Sequence, residues 1–221
     1  MPADRLTTAT SPPGRAWLPV CVAVVAGAVL IGLTLRVERG SAGFYVAGYA
    51  LAAVWIGASV VGSRHQRFDD ATPRYGRLSW QKLGLGAGVG VAMFLVFVVG
   101  AAVGRRISVL EGPIETVLAR ADTGPIVAVL ALALVNAVAE EMFFRGLVIE
   151  RAVDLGRWQS GLLALALYVG VSAVGGNTAL TLAAAVMGIV FTAQRVMGAD
   201  LVVPITTHVV WSTLMLLALP R

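Results

Sequence analysis

Charge is scarce in this 221-residue chain. Asp, Glu, Lys and Arg together make up 13% of the residues, whereas a soluble domain carries about 25%. Hydrophobic residues make up 58%, and the mean hydropathy is +0.84. The shortage of charge excludes an ordinary soluble domain and indicates an integral membrane protein.

Cysteine and histidine are also nearly absent. Cys21 is the one cysteine, and His65 and His208 are the two histidines. A lone cysteine excludes an intramolecular disulfide and a cysteine metal cluster. A catalytic zinc usually takes three protein ligands, so we expect no cofactor. A divalent metal such as zinc, held by Glu140 and His208, stays open as an alternative.

Long apolar runs fill most of the chain. A membrane-spanning helix needs about 20 mostly apolar residues, and the sequence predicts an all-α polytopic membrane bundle with about seven transmembrane helices. The fifth and sixth runs are short and are expected to form a hairpin that crosses fully or in part. The stretch 105–122 is expected to form an interfacial helix with Ile107, Leu110, Ile114 and Leu118 on its apolar side. The seven runs are 17–35, 44–62, 83–104, 124–144, 159–175, 178–194 and 201–219.

The distribution of basic residues predicts the orientation. The net charge is +5. Most Lys and Arg lie in the segments that are expected on the same side of the membrane as the N-terminus. Because cytoplasmic loops are enriched in these residues, we expect a plasma-membrane protein, of bacterial type, with a cytoplasmic N-terminus. The charge is then directed at lipid headgroups, and no nucleic-acid partner is expected.

Two units are expected along the chain. Residues 1–82 would form a two-helix hairpin followed by a basic loop over 63–82, and 83–221 would form the core. The loop is expected to be solvated, with binding of a partner as the alternative. Glycines at 84, 86, 88 and 90 do not match G-x-G-x-x-G. Instead they place G-x-x-x-G pairs at 84/88 and 86/90, which predict close helix contacts in lipid.

Glu140 and Glu141 end the apolar run that begins at Pro125. A carboxylate at bilayer depth costs about 2.5–3.5 kcal/mol, so an ionisable group there indicates a functional site. Glu141 and Arg145 are four residues apart and are expected to pair on one helix face. Glu140 points about 100° away, so it is expected to lack a local cation and to face a cavity. Adjacent carboxylates disfavour double ionisation, which suits acid–base chemistry.

Two other pairs of residues carry polar groups in apolar helices. His208 lies early in the last run, and Ser212 shares its helix face. Tyr168 and Ser172 share a face of the fifth run. Each pair could simply make interhelical hydrogen bonds, and Trp211 is expected either to anchor the helix at the membrane interface or to pack beside the site.

These residues resemble the motifs of the CPBP intramembrane proteases, which include the type II CAAX prenyl endopeptidases and the Abi-like bacteriocin-processing or immunity proteins. The sequence from Glu140 to Arg145 looks like E-E-x-x-x-R. The segment 168–172 aligns with F-x-x-x-H, and 208–212 aligns with H-x-x-x-N. The resemblance implies a helical bundle around a cavity open to the cytoplasm.

The resemblance also implies roles for the matching residues. Glu140 would be the general base, Glu141 and Arg145 would support it, and His208 would donate to the oxyanion. Ser172 replaces the histidine of the second motif, and Ser212 replaces the asparagine of the third. A serine hydroxyl cannot act as a base as histidine does near neutral pH.

Three functions follow from this interpretation. The first is an intramembrane endopeptidase that hydrolyses a membrane-associated peptide or protein with water activated by glutamate. The second is a catalytically inactive relative that serves as a membrane scaffold, chaperone or immunity-type partner. The third is a proton-coupled transporter, although the inverted repeat and broken helices of transporters are missing from the sequence.

Overall fold

The computed structural model describes residues 13–34, 36–38, 40–63, 76–121 and 124–218. Every regular element in these ranges is helical, so the all-α prediction is confirmed. Helix α5 (Ile126–Glu140) continues into a π-helical segment, Glu141–Val148, and a last turn, Ile149–Arg151. A 3₁₀ turn at Val153–Leu155 follows. The helices are α1 (Pro13–Thr34), α2 (Ala42–Ser63), α3 (Trp80–Gly104), α4 (Ser108–Ala121), α5 (Ile126–Glu140), α6 (Arg157–Ala173), α7 (Thr178–Val196) and α8 (Val202–Ala218).

The seven apolar runs all form helices, but they differ in their ability to span a membrane. Five are long and apolar enough: Trp17–Thr34, Ala42–Ser63, Trp80–Gly104, Ile126–Arg151 and Thr178–Val196. Helix α8 is apolar but shorter, and α6 falls outside both groups because it begins with the polar stretch 157–160. The hairpin of α6 and α7 turns at Gly176, whose φ of 70° suits a residue without a Cβ.

The apolar residues that point outward identify the lipid-facing surface. On α1 they recur at helical spacing along one face, while Val20 and Ala23 are buried on the other. Such a stripe would be costly in water but is the expected surface in a bilayer. The exposed residues are Leu18, Val22, Val25, Val29 and Leu33.

Helix α3 packs along α8 through only one of the two predicted glycine pairs. A Cβ at Gly86 would lie 2.8 Å from the carbonyl oxygen of Val203, and one at Gly90 would lie 2.8 Å from that of Thr207. Both glycines are buried. Gly84 and Gly88 have nothing within 4 Å of a built Cβ. The prediction for 86/90 is therefore confirmed and the one for 84/88 is wrong, because 84 and 88 lie on the outer face of α3.

The main core surrounds the π-helical segment. Trp55 of α2 lies against Phe143 and Phe144, with ring centroids 4.5 and 5.1 Å apart. Phe144 in turn meets Tyr168 of α6 edge to face at 5.1 Å. A smaller cluster of Met93, Met187 and Phe191 joins α3 to α7. These two clusters fix the helices on either side of the glutamates.

The bundle has one end capped by α4. Gly104 at the end of α3 lies against Ile114, and Asn177 before α7 donates a hydrogen bond to the Pro113 carbonyl at 3.1 Å. The predicted helix in 105–122 is therefore present, and its Leu110 and Ile114 face inward as expected. Ile107 is exposed, and the side chain of Leu118 lies outside the described residues, as do residues 64–75 of the predicted basic loop. The division of the chain at residue 82 stays a prediction.

Candidate active site

The π-helical segment buries an ion pair completely. Glu141 and Arg145 are both 0% exposed, and Arg145 Nη1 donates to Glu141 Oε1 at 3.3 Å. This pair was predicted from the spacing. A π-helix is rare and is frequently found at functional sites, and the widening of the helix here was not predicted from the sequence.

Arg145 is held from three sides. Its Nη2 donates to the Gly188 carbonyl of α7 at 3.3 Å. Its guanidinium lies 4.4 Å from the ring centroid of Tyr168 and 5.3 Å from that of Phe191. Aromatic faces attract a desolvated guanidinium, so these contacts offset part of the cost of burying the charge and tie α6 and α7 to the π-helical segment.

His208 pairs with Glu141 and not with Glu140. Its Nδ1 lies 3.0 Å from Glu141 Oε1, and its ring stacks on Phe191 at 4.7 Å. The last helix, α8, packs along α5 and α3 and brings the histidine to Glu141. The other ring nitrogen, Nε2, makes no hydrogen bond to a described residue.

Glu140 has a quite different environment. It is half-buried, and its Oε2 accepts a hydrogen bond from the Tyr168 hydroxyl at 3.1 Å. As expected, it lacks a cation on its own helix and faces a cavity. Asn136, one helix turn earlier, donates to the carbonyls of Gly48 and Leu132 and not to Glu140.

The cavity has a volume of about 510 Å³. Its wall is mostly apolar, and Glu140, Tyr168, Ser172 and His208 supply most of its polar groups. Because the lining comes from the last turns of α1, α3 and α6 and the first turns of α7, the cavity extends from the middle of the bundle to the end capped by α4. Its apolar lining includes Val96, Phe97, Leu110, Ile114, Ala183, Met187 and Met215.

The two serines at the substituted motif positions take no part in the ion pair. Ser172 donates its hydroxyl to the Tyr168 carbonyl of its own helix at 2.9 Å. Ser212 is buried one turn after His208. Trp211 lines the cavity and meets Phe97 edge to face at 5.0 Å, so it packs beside the site, as one of the two expectations had it.

Arg195 supports the site, and this role was not predicted from the sequence, because its charge was attributed to a loop. It is buried at the end of α7, and its Nε donates to the Arg145 carbonyl at 3.1 Å. Its Nη2 lies 3.6 Å from Glu150 Oε1. The sequence feature that could have identified Arg195 is a basic residue in the last turn of a largely apolar helix. Glu150, just after the π-helical segment, is the acidic residue that could have been predicted to pair with it.

The donor set does not fit a catalytic zinc. Among the residues that the structure describes, no three His, Cys, Asp or Glu side chains come together in a way that could hold a metal ion. His208 and Glu141 bind each other, while Glu140 is bound by a tyrosine. His65 lies outside the described residues. A zinc site of three protein ligands is therefore not formed by this group.

The comparisons with known proteins agree with the motifs. Residues 122–214 match the family model described as "Type II CAAX prenyl endopeptidase Rce1-like". This range contains all three motif segments, so the resemblance inferred from the sequence is confirmed. No curated protein and no solved structure matches the chain.

Proposed function

We propose that the protein is an intramembrane endopeptidase, because residues 122–214 match the family model of the Rce1-like type II CAAX prenyl endopeptidases. It hydrolyses a peptide bond of a membrane-associated peptide or protein. One observation carries the proposal: the Glu140 carboxylate faces an apolar cavity with one oxygen bound by Tyr168 and the other making no hydrogen bond to a described residue.

Glu140 is the general base in this proposal. Its free oxygen takes a proton from a water in the cavity, and the water oxygen attacks the carbonyl carbon of the scissile bond. The carbonyl oxygen then carries the negative charge. When the carbon–nitrogen bond breaks, Glu140 returns the proton to the leaving nitrogen. Proton transfer by a positioned side chain contributes about 10²–10⁴-fold to a rate.

His208 is the proposed oxyanion donor. In this role Nε2 faces the cavity, while Nδ1 lies 3.0 Å from Glu141 Oε1. Glu141 fixes the ring, and Arg145 balances the charge of Glu141. Removal of one oxyanion donor costs about 10²–10³-fold in kcat, which sets the effect expected for His208→Ala.

The inactive relative remains a second candidate because of Ser172. Its hydroxyl is directed to its own helix, so position 172 offers Glu140 neither a base nor a hydrogen-bond donor. A chain of this kind would keep the fold and the cavity and act as a membrane scaffold, chaperone or immunity-type partner.

Cleavage of membrane-tethered peptides in proteoliposomes separates the two candidates. The library should contain lipidated and unlipidated peptides, and the variants should be Glu140→Gln and Glu38→Gln. Glu38 is an exposed carboxylate between α1 and α2, so it controls for loss of one charge. We expect cleavage by the parent and by Glu38→Gln, and none by Glu140→Gln.

Equal cleavage by all three proteins would refute the role of Glu140. If the parent is inert while a Ser172→His/Ser212→Asn variant cleaves, the protein is a relative that has lost its chemistry. The unfolding midpoint of each variant in detergent should be measured alongside, because a misfolded variant would also be inert.

A further inference from the structure

Tyr168 is the one described residue whose side chain hydrogen-bonds Glu140. The hydroxyl donates to Oε2 at 3.1 Å. The two residues are 28 positions apart and lie on different helices, so this contact depends on the packing of α6 against the π-helical segment. The motif that this segment resembles has phenylalanine at this position, so the motif does not account for the hydroxyl.

The ring of Tyr168 is fixed by its neighbours. The Arg145 guanidinium lies 4.4 Å from one face, and Phe144 meets the ring edge to face at 5.1 Å. A Cβ at Gly188 would lie 3.1 Å from Tyr168 Cδ1, so glycine at that position leaves the room that the ring needs. With the ring held and only 5% exposed, the hydroxyl has little freedom to move away from Glu140.

The serine one turn further along α6 cannot do the same work. A hydroxyl has one proton to donate, and Ser172 gives it to the Tyr168 carbonyl. Ser172 therefore has no proton left for Glu140, and the hydroxyl of Tyr168 supplies the hydrogen bond. With Oε2 held by Tyr168, the carboxylate is oriented and its Oε1 is left for water.

We infer that Tyr168 is a positioning residue for hydrolysis. Its hydroxyl holds Glu140 so that Oε1 meets the attacking water, and the serine at position 172 cannot supply this hydrogen bond. The inference rests on the proposed function. It predicts that the hydroxyl matters while residue 172 is serine and matters much less once residue 172 is histidine.

The Tyr168→Phe variant removes one oxygen and keeps the ring contacts with Arg145 and Phe144. A small misplacement of a catalytic group can cost about 10²-fold, so we expect kcat to fall by about that factor with KM nearly unchanged. In the Ser172→His background the same change should lower kcat by less than about 3-fold, by the same reasoning. Tyr49→Phe is the matched control, because Tyr49 is an exposed tyrosine on α2.

An unchanged kcat in Tyr168→Phe would overturn the inference. So would an equal loss in both backgrounds, particularly with a lower unfolding midpoint, because a purely structural tyrosine would behave in this way. Restored activity in the Ser172→His/Tyr168→Phe double variant would support the inference.

An infrared measurement keeps this inference separate from the proposed function. The difference spectrum of the parent against Glu140→Gln isolates the carboxyl bands of Glu140, and we expect Tyr168→Phe to shift them. No shift would overturn the inference, whether or not the protein cleaves peptides. A shift in a protein with no Glu140-dependent cleavage would overturn the proposed function, and with it the positioning role, while leaving the contact as a structural one.

Discussion

Glu140 and Glu141 are neighbours in the chain but belong to two different regions of the molecule. Glu141 lies on the packed side, which we define as Glu141, Arg145 and Arg195, where each charged group meets partners and none faces the cavity. Glu140 lies on the cavity side with Tyr168 and Ser172. His208 joins the two regions. The comparison teaches that one helix turn can carry both a charge buried in an ion pair and a carboxylate open to a cavity, provided that the fold covers only one of them.

The largest effect is expected on the packed side. Arg145→Met would leave Glu141 buried without its cation, and breaking a buried pair in this way costs about 3–5 kcal/mol. Thermal unfolding in detergent should therefore show a large fall in the midpoint. Arg105→Met is the matched control, since Arg105 pairs with Glu115 at the surface and such pairs contribute about 0–1 kcal/mol.

A double variant sharpens this prediction. Glu141→Gln combined with Arg145→Met removes both charges, so it should recover part of the stability lost in Arg145→Met alone. Equal losses in Arg145→Met and Arg105→Met would show that the packed side is not structural, and the distinction between the two regions would then fail.

A smaller effect is expected at the contact between α3 and α8. Gly90→Ala places a methyl group against the Thr207 carbonyl, next to His208. Overpacking costs about 1–3 kcal/mol, and a shift of α8 should also lower kcat by moving His208. Gly88→Ala is the control on the outer face of the same helix, where the added methyl meets nothing. Equal unfolding midpoints and rates for the two variants would contradict the proposed link between packing and catalysis.

The smallest effect is expected on the cavity side at Ser172. Ser172→Ala removes a hydrogen bond within one helix, which contributes about 0.5–1.5 kcal/mol, and kcat should change by less than about 3-fold on the same energetic grounds. The proteoliposome assay measures this directly. A loss of 10-fold or more would place the Ser172 hydroxyl among the groups that act in the reaction.

Local spacing predicted what lies along one helix. The pairing of Glu141 with Arg145 and the cavity-facing position of Glu140 both follow from the angle between residues on a helix. The apolar runs predicted the helices themselves, because a span in lipid must satisfy its own backbone. These features depend on residues close together in the sequence.

Contacts between distant helices could not be predicted in this way. Tyr168 lies 28 positions from Glu140, and His208 lies 67 positions from Glu141. Spacing shows which face a residue occupies but not which helix packs against that face. The same holds for the two glycine pairs of α3. Spacing alone could not show that Gly86 and Gly90 contact a neighbouring helix while Gly84 and Gly88 do not, because this depends on where α8 packs.

The position of the cavity in the bundle is tied to the membrane topology of the chain. Successive spans alternate in direction, so the end capped by α4 lies across the membrane from the start of α1. The cavity lining includes the last turns of α1 and α3, so the cavity lies in the half of the bundle away from the start of α1. A reporter fused to the N-terminus would thus also show on which side of the membrane this half of the bundle lies.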